Sequence, residues 1–360
     1  MSSNFGERIK VSIFGQSHSE GIGVVIDGIP AGHRIDMEAL QTHMQRRAPG
    51  QGEYTTARKE ADIPEILSGI VDNHTCGAPI SAMIRNTNIR SKDYERMRVV
   101  PRPGHADFTA MIRHQGFQDV RGGGHFSARL TAPLCFAGAI CMQILKEQGV
   151  HIGAHIFSIA DVEDTPIDAI NITQAELEVI QARAFPVLDE DAGKEMIDKV
   201  MKAKAKGDSV GGIVELCVVG MPVGVGEPMF DGIENKLAGA VFAIPAVKGI
   251  EFGLGFEAAK TYGSMNNDAF YYNERGEVKT RTNHHGGILG GMSSGMPIIM
   301  RAAFKPTPSI AKEQESIHIH TKKTEQLVVE GRHDPCIVPR AVPCVESAAA
   351  IALLDLLLMK

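Results

Sequence analysis

The chain has 360 residues and 38.8 kDa, with 43% hydrophobic, 22% charged and 5% aromatic residues. That balance excludes disordered, collagen-like and coiled-coil chains and leaves a globular protein with ample chain to bury a core. The net charge is −6, but residues 1–130 hold 16 Lys/Arg against 14 Asp/Glu and 13 of the 19 arginines.

Lys10–Phe14 and Val24–Asp27 read as paired strands joined by the polar Gly15–Gly23 segment. After the turn Gly28-Ile29-Pro30-Ala31-Gly32, Asp36 is placed to cap a helix running to about Arg47, which Pro49-Gly50 ends. Arg46–Lys59 is polar and arginine-rich and reads as a loop over a site, followed by strand-like runs at Glu65–Val71 and Ile80–Arg85. Residues 101–126 are glycine-rich and polar. Ser127–Gln148 has the length and small residues of a buried helix, with Ser127 as its N-cap. Residues 155–205 read as a variable excursion ending in an amphipathic helix, Lys194–Lys206, and Gly211–Val219 is again strand-like. Gly220-Met221-Pro222-Val223-Gly224 then echoes the first glycine–proline turn, which suggests an internal pseudo-repeat of two halves. Residues 263–297 read as loop, and Val345–Leu358 as an apolar helix that needs burial. Strands and helices without regular alternation indicate an α+β fold. Neither Gly-x-x-x-x-Gly-Lys-Ser/Thr nor a strand-borne Gly-x-Gly-x-x-Gly occurs.

The arginine skew reads either as a surface that prefers Arg or as a pocket for a small polyanion, since Arg captures carboxylate and phosphate in bidentate fashion. Nearly balanced charge and the lack of Trp argue against nucleic acid. No uninterrupted apolar run approaches the ~20 residues of a membrane span, Ala132–Met142 being the longest. The N-terminus lacks a signal-type apolar core, and six cysteines without a Cys-x-x-Cys pair read as reduced thiols in a cytoplasmic protein.

Several segments can carry chemistry. His18, in Gly15-Gln16-Ser17-His18 at a strand end, is either a turn histidine or a proton-transfer group near neutral pH. His105 stands in Arg102-Pro103-Gly104-His105-Ala106-Asp107, where the prolines fix the backbone, Arg102 adds charge and Asp107 can orient the ring. Arg121-Gly122-Gly123-Gly124-His125-Phe126-Ser127-Ala128-Arg129 is either a flexible loop or an anion cradle of free N–H groups. Lys305-Pro306-Thr307-Pro308-Ser309 and Gly331-Arg332-His333-Asp334-Pro335 add cations, hydroxyls and a carboxylate. His284-His285 and His318-x-His320 lack the further ligands of a known metal site, so no metal is expected.

Together these segments resemble the chorismate synthase family over some 330 residues. The likeness covers Gly15–His18, Arg46-Arg47 with Tyr54-Thr55-Thr56, Arg102–Asp107, Gly122–Arg129, Ala246–Gly249 and Asn283–Gly295. Lys305–Thr307, Arg332–Pro335 and Ala341–Glu346 complete it. The resemblance implies one domain over residues 1–360, a β–α–β sandwich and a homotetramer. It also implies 1,4-elimination of phosphate from 5-enolpyruvylshikimate 3-phosphate to give chorismate, with reduced FMN and no net redox change. On the matching positions, His18 would stabilise the anionic reduced flavin and His105 would protonate the departing phosphate. Asp334 would assist flavin deprotonation, with Ser17 and Ser127 as supporting hydroxyls. Arg47, Arg129 and Arg332 would clamp substrate anions or flavin. Flavin contacts would fall on His125, Phe126, Ser127, Pro245, Ala246, Gly290, Lys305, Pro306, Thr307, Pro308, Ser309 and Arg332. Two departures stand out: many relatives carry Arg and a small residue at His125-Phe126, and Glu53 replaces an Arg assigned to nicotinamide nucleotide. An external flavin reductase is therefore expected to supply the cofactor. The competing readings are a flavin reductase and an anion- or RNA-binding module.

Overall fold

Two apolar helices, Thr131–Glu147 and Val338–Met359, lie between two five-stranded antiparallel sheets in the computed structural model. The structure describes residues 3–50, 52–56, 60–87, 96–329, 331 and 333–360. The first half runs β1 (Asn4–Phe5), β2 (Lys10–Gly15), β3 (Gly21–Asp27), α1 (Met37–Arg47), β4 (Pro64–Ser68), β5 (Ile70–Val71), β6 (His74–Thr75), β7 (Ile80–Arg85), α2 (Asp107–Arg113) and α3 (Thr131–Glu147). The second begins β8 (His151–Ile159), β9 (Val162–Glu163), α4 (Gln174–Gln181), α5 (Glu190–Ala205), β10 (Gly212–Val219), α6 (Ile233–Phe242) and β11 (Val247–Phe252). It ends α7 (Gly263–Asn266), β12 (Phe270–Tyr272), β13 (Val278–Thr280), β14 (Ile288–Leu289), β15 (Met292–Ser293), β16 (Ile298–Phe304), β17 (Gln314–His318), β18 (Lys323–Leu327) and α8 (Val338–Met359).

The halves share one plan. One sheet contains β2-β3-β7-β4, the other β8-β10-β16-β11; α1 and α6 follow the second strand of each set, and α3 and α8 follow the sets. The two glycine–proline turns are wired alike. Gly32 N donates to Thr75 O at 2.8 Å and Thr75 Oγ1 to Pro30 O at 2.7 Å; Gly224 N donates to Ser293 O at 2.9 Å and Ser293 Oγ to Pro222 O at 2.5 Å. Gly28 and Gly220 have φ of 91° and 82°, and a Cβ would stand 1.8 and 2.0 Å from Arg8 O and Gly149 O. Only glycine fits such an approach with positive φ.

α3 and α8 approach so closely that a methyl at Gly138 would lie 2.3 Å from Ser347 Cα. Buried carboxylates within α8 are fully engaged, as burial demands. Glu346 takes Arg46 Nη1 at 2.5 Å and Ala154 N at 3.0 Å, and Asp355 takes the N–H groups of Glu7, Arg8 and Ile9. Asp355 thus pins the chain's entry into β2.

Several expectations need correction. β8, which starts the second sheet, runs on into the stretch expected to be variable from residue 155. All but its first residue are buried, so it lacks the alternation that marks a strand. The helix expected from Lys194 starts at Glu190 because Asp189 caps it. The segment 263–297 holds a short helix and two hairpins. The last helix begins at Val338 rather than Val345 and absorbs Pro343, which reads as a stop in sequence. That helix and residues 128–147 are long and apolar enough to cross a membrane by length and composition, yet most of each is buried inside the protein. Five of the six free cysteines are buried; Cys76 is exposed.

The outer face of the second sheet carries a charged row, Glu251–Arg301–Glu215–His155, on four paired strands. The fully buried His155 ring meets Asp164 at Nδ1 and Glu215 at Nε2, each at 2.9 Å. Burial alone would lower the His155 pKa, but hydrogen bonds from Asp164 and Glu215 outweigh it and raise it. A raised histidine pKa stabilises the fold below its unfolded value of about 6.5 and loses that contribution as pH climbs through the folded value. The thermal midpoint should therefore fall as pH rises above neutrality. His155→Gln should start lower, by ~3–5 kcal/mol for a broken buried pair, and show a flatter alkaline decline. An unchanged alkaline slope in the variant would remove the imidazolium from this role.

Candidate active site

A cavity of about 540 Å³ opens where the end of β11's entry loop, the 305–309 segment and the glycine run before α3 converge. That size suits a small-molecule site. Arg102, His105, Gly122, His125, Phe126, Ser127 and Arg129 line one side. Pro245, Ala246, Lys248, Lys305, Thr307, Pro308 and Ser309 line another, and Arg47, Asp334 and Arg340 complete it.

The glycine run is left-handed throughout, with φ of 61°, 83° and 55° at Gly122, Gly123 and Gly124. Its backbone separates the two histidines. A Cβ on Gly122 would meet His18 Cδ2 at 2.6 Å, and one on Gly123 would meet His105 Nε2 at 3.1 Å. His105 lines the cavity, whereas Ser17 and His18 are buried and form no part of its lining. Ser17 N donates to Gly124 O at 3.1 Å, and Asn86 Nδ2 ties down the turn through Gln16 O and Ser19 O. Ser127 accepts from Arg129 N at 3.2 Å and caps a short 3-10 turn ahead of α3, one turn earlier than an α-helical cap. His125 bonds Gly15 O through Nδ1 at 2.8 Å and Ser3 Oγ through Nε2 at 2.7 Å, so it anchors the strand that leads to His18.

Arg47 and Arg129 share one buried carboxylate. Arg47 Nη1 donates to Asp62 Oδ2 at 2.6 Å, Arg129 Nη1 donates to Asp62 Oδ1, and Arg129 Nε lies 3.2 Å from Glu60 Oε2. Burial would push the Asp62 carboxyl up; the two guanidiniums outweigh it and hold it below its usual range. The two arginines then differ. Arg47 also gives Nε to Thr131 Oγ1 and Nη2 to Ala128 O, so each of its three nitrogens donates to the fold. Arg129 Nη2 is buried with no partner among the described residues, a donor left for an anion.

Asp334 lies on the wall, taking Arg340 Nη1 on one oxygen and Thr56 N at 3.0 Å on the other. Lys305 donates to Gly104 O at 2.7 Å, and burial together with neighbouring Lys248 lowers its pKa. No carboxylate pairs with either lysine among the described residues, which concentrates positive charge there. The Thr307 hydroxyl is buried without a partner among the described residues, and Ala246 holds a strained φ of 79° in the same lining.

Two expected contacts fall elsewhere. Gly290 sits in the β14–β15 hairpin turn and lines no part of this cavity; Pro306 turns toward Gly211 at the start of β10. Arg332 lies outside the described residues. The sequence reading also missed Asp62, Glu60, Lys248 and Arg340. Two arginines close to one another need a shared counter-charge, which is the signal that could have found Asp62.

The cavity gathers cations, an imidazole and a buried donor left over by the fold, the groups an enzyme acting on a small anion needs. The chorismate synthase family model matches residues 9–358. A chorismate synthase of Lancefieldella parvula is 47% identical over 368 residues, covering 99% of this chain and 96% of the relative. One from Synechocystis is 45% identical, covering 99% and 98%. A crystal structure of chorismate synthase superposes with a TM-score of 0.77 at 28% identity, over 99% of this chain and 93% of that one. The chain belongs to the chorismate synthase family. Its reaction is that of a carbon–oxygen lyase of the shikimate pathway, releasing phosphate from 5-enolpyruvylshikimate 3-phosphate to form chorismate. The flavin-reductase and RNA-binding readings lose their support, and a flavin cofactor follows from the family.

Proposed function

We propose that the cavity beside His105 binds 5-enolpyruvylshikimate 3-phosphate together with reduced FMN and carries out a 1,4-elimination with no net redox change. The observation that carries this reading is the convergence of a cavity-facing imidazole, an unspent Arg129 donor and the Lys248–Lys305 pair on one space. The substrate's two carboxylates and phosphate match those cations. His105, Ser127 and the cations would orient the substrate, and His105 would give its proton to the departing phosphate. The lining also fits a flavin. His125, Phe126, Ser127, Pro245 and Ala246 offer a surface for a planar ring, and the free Thr307 hydroxyl with Lys305, Pro308 and Ser309 suits a phosphate. When bound, reduced FMN would lend an electron to the elimination and recover it. Asp334 and Arg340 hold the opposite rim, and His18 with Ser17 supports the glycine run from behind.

The whole chain acts as one domain in this reading, supported by a core that runs from Ile9 to Leu356. A homotetramer is supported by strongly exposed Phe256, Tyr262, Phe270 and Tyr272, and a cytoplasmic setting by the free, mostly buried cysteines.

Glu53, exposed in the turn whose backbone carbonyl accepts from Lys204 Nζ at 2.6 Å, supports an external flavin reductase, because a carboxylate repels a nucleotide phosphate. With substrate and dithionite-reduced FMN under anaerobic conditions, purified protein should form phosphate and chorismate in equal amounts. With NADPH and oxidised FMN it should form neither. No product with reduced FMN would overturn the function; efficient NADPH oxidation by the protein alone would overturn the external supply.

A further inference from the structure

His105 does not stand alone in the cavity wall. Its Nδ1 lies 2.6 Å from Asp107 Oδ1 and 3.0 Å from Arg102 Nη2. The two contacts ask for opposite tautomers. An N–H on Nδ1 satisfies the carboxylate and leaves the guanidinium without a bond to the ring; a bare Nδ1 accepts from Arg102 but sets two lone pairs against each other at 2.6 Å. The shorter, charge-assisted contact decides in favour of Nδ1–H donating to Asp107. Arg102 loses nothing, since its N and Nε donate to Asp107 Oδ2 at 3.0 and 2.7 Å, its Nη2 to Asp107 Oδ1 at 2.7 Å, and its Nη1 to Ser309 Oγ at 3.1 Å. Arg102 and Asp107 are both nearly sealed from solvent. Burial alone would push the Asp107 carboxyl up; the Arg102 and His105 bonds outweigh it and hold it well below its usual range.

From this geometry we infer that Asp107 is a positioning residue for His105, holding Nδ1–H toward itself, while Arg102 locks the pair to Ser309. The second proton of the imidazolium then sits on Nε2 and is the one the substrate receives, leaving the neutral Nδ1–H ring behind. The inference rests on the assignment of proton transfer to His105. The ring lines the cavity and Nε2, at the edge away from Asp107, lies beside the backbone of Gly123, so the ring is held at one nitrogen and leaves the other for the reaction. Ser309 belongs to the segment proposed to carry the flavin phosphate, so a ligand seated there also braces the dyad.

The ring nitrogens of ¹⁵N-histidine-labelled, ligand-free protein report the tautomer directly, with the His105 signal identified by its loss in His105→Ala. The wild type should show Nδ1 protonated in the neutral ring. In Asp107→Asn the Nε2–H form should gain, because Arg102 Nη2 can then donate to a bare Nδ1. Turnover of Asp107→Asn should drop at least ~10-fold and no further than His105→Ala, within the ~10²–10⁴-fold of an acid–base group, with KM little changed. In the His105→Ala background, Asp107→Asn should cost nothing more. A wild-type ring protonated at Nε2 overturns the inference even if Asp107→Asn fails to fold. So does normal turnover in Asp107→Asn, or a further loss in the double variant. Normal turnover in His105→Ala would instead overturn the assignment of His105 itself.

Discussion

His105→Ala should slow product formation by about 10²–10⁴-fold while leaving the protein folded and able to bind substrate. Phosphate leaving an allylic carbon accumulates negative charge, and the His105 ring lines the cavity in which that charge would develop. A proton from Nε2 of the imidazolium, whose Nδ1–H stays with Asp107, neutralises that charge at the moment it forms. Truncation leaves Asp107 paired with Arg102 through Nε and Nη2, each at 2.7 Å, and the backbone turn is held by Pro101, Pro103 and the His105 N–H bond to Arg102 O at 3.2 Å. Single-turnover kinetics under anaerobic conditions, with substrate affinity measured separately, would check it. Near-normal turnover would show that another group protonates the phosphate.

The Asp62 cluster should separate two arginines that look equivalent in sequence. Arg129→Ala should weaken substrate binding by ~2–5 kcal/mol, the range for removing a buried charged partner, because its Nη2 is a buried donor without an acceptor among the described residues. Arg47→Ala should act on the fold instead. Its donors go to Asp62, Thr131 and Ala128, so truncation should lower the urea midpoint by the equivalent of ~3–5 kcal/mol. Asp62→Ala, which removes the carboxylate shared by both guanidiniums and leaves Arg129 with Glu60, should be at least as destabilising. Equal loss of substrate affinity and equal stability in the two arginine variants would contradict this division.

The sequence disclosed elements whose signals are local. Asp36 accepts from Glu38 N and Ala39 N as a cap should, and the two glycine–proline turns announced a repeat that the strand order bears out. It failed where burial erases periodicity, as in β8, and where tertiary packing overrides a breaker, as at Pro343 in α8. At the site, glycine, proline and histidine marked the segments that form the cavity. Their division of labour was hidden because it is set across the chain: Arg47 and Arg129 meet through Asp62, and Arg102 reaches Ser309 some 207 residues away. Gly290, which the family motif placed at the flavin, belongs within one chain to a hairpin that repeats the β5–β6 turn of the first half.

The central claim is an elimination in which the flavin ends as it began. An anaerobic single turnover with stoichiometric reduced FMN, recorded by flavin absorbance alongside phosphate and chorismate, tests it most directly. The account predicts one phosphate and one chorismate per site with the flavin fully reduced at the end. Oxidation of one flavin for each chorismate formed would contradict it.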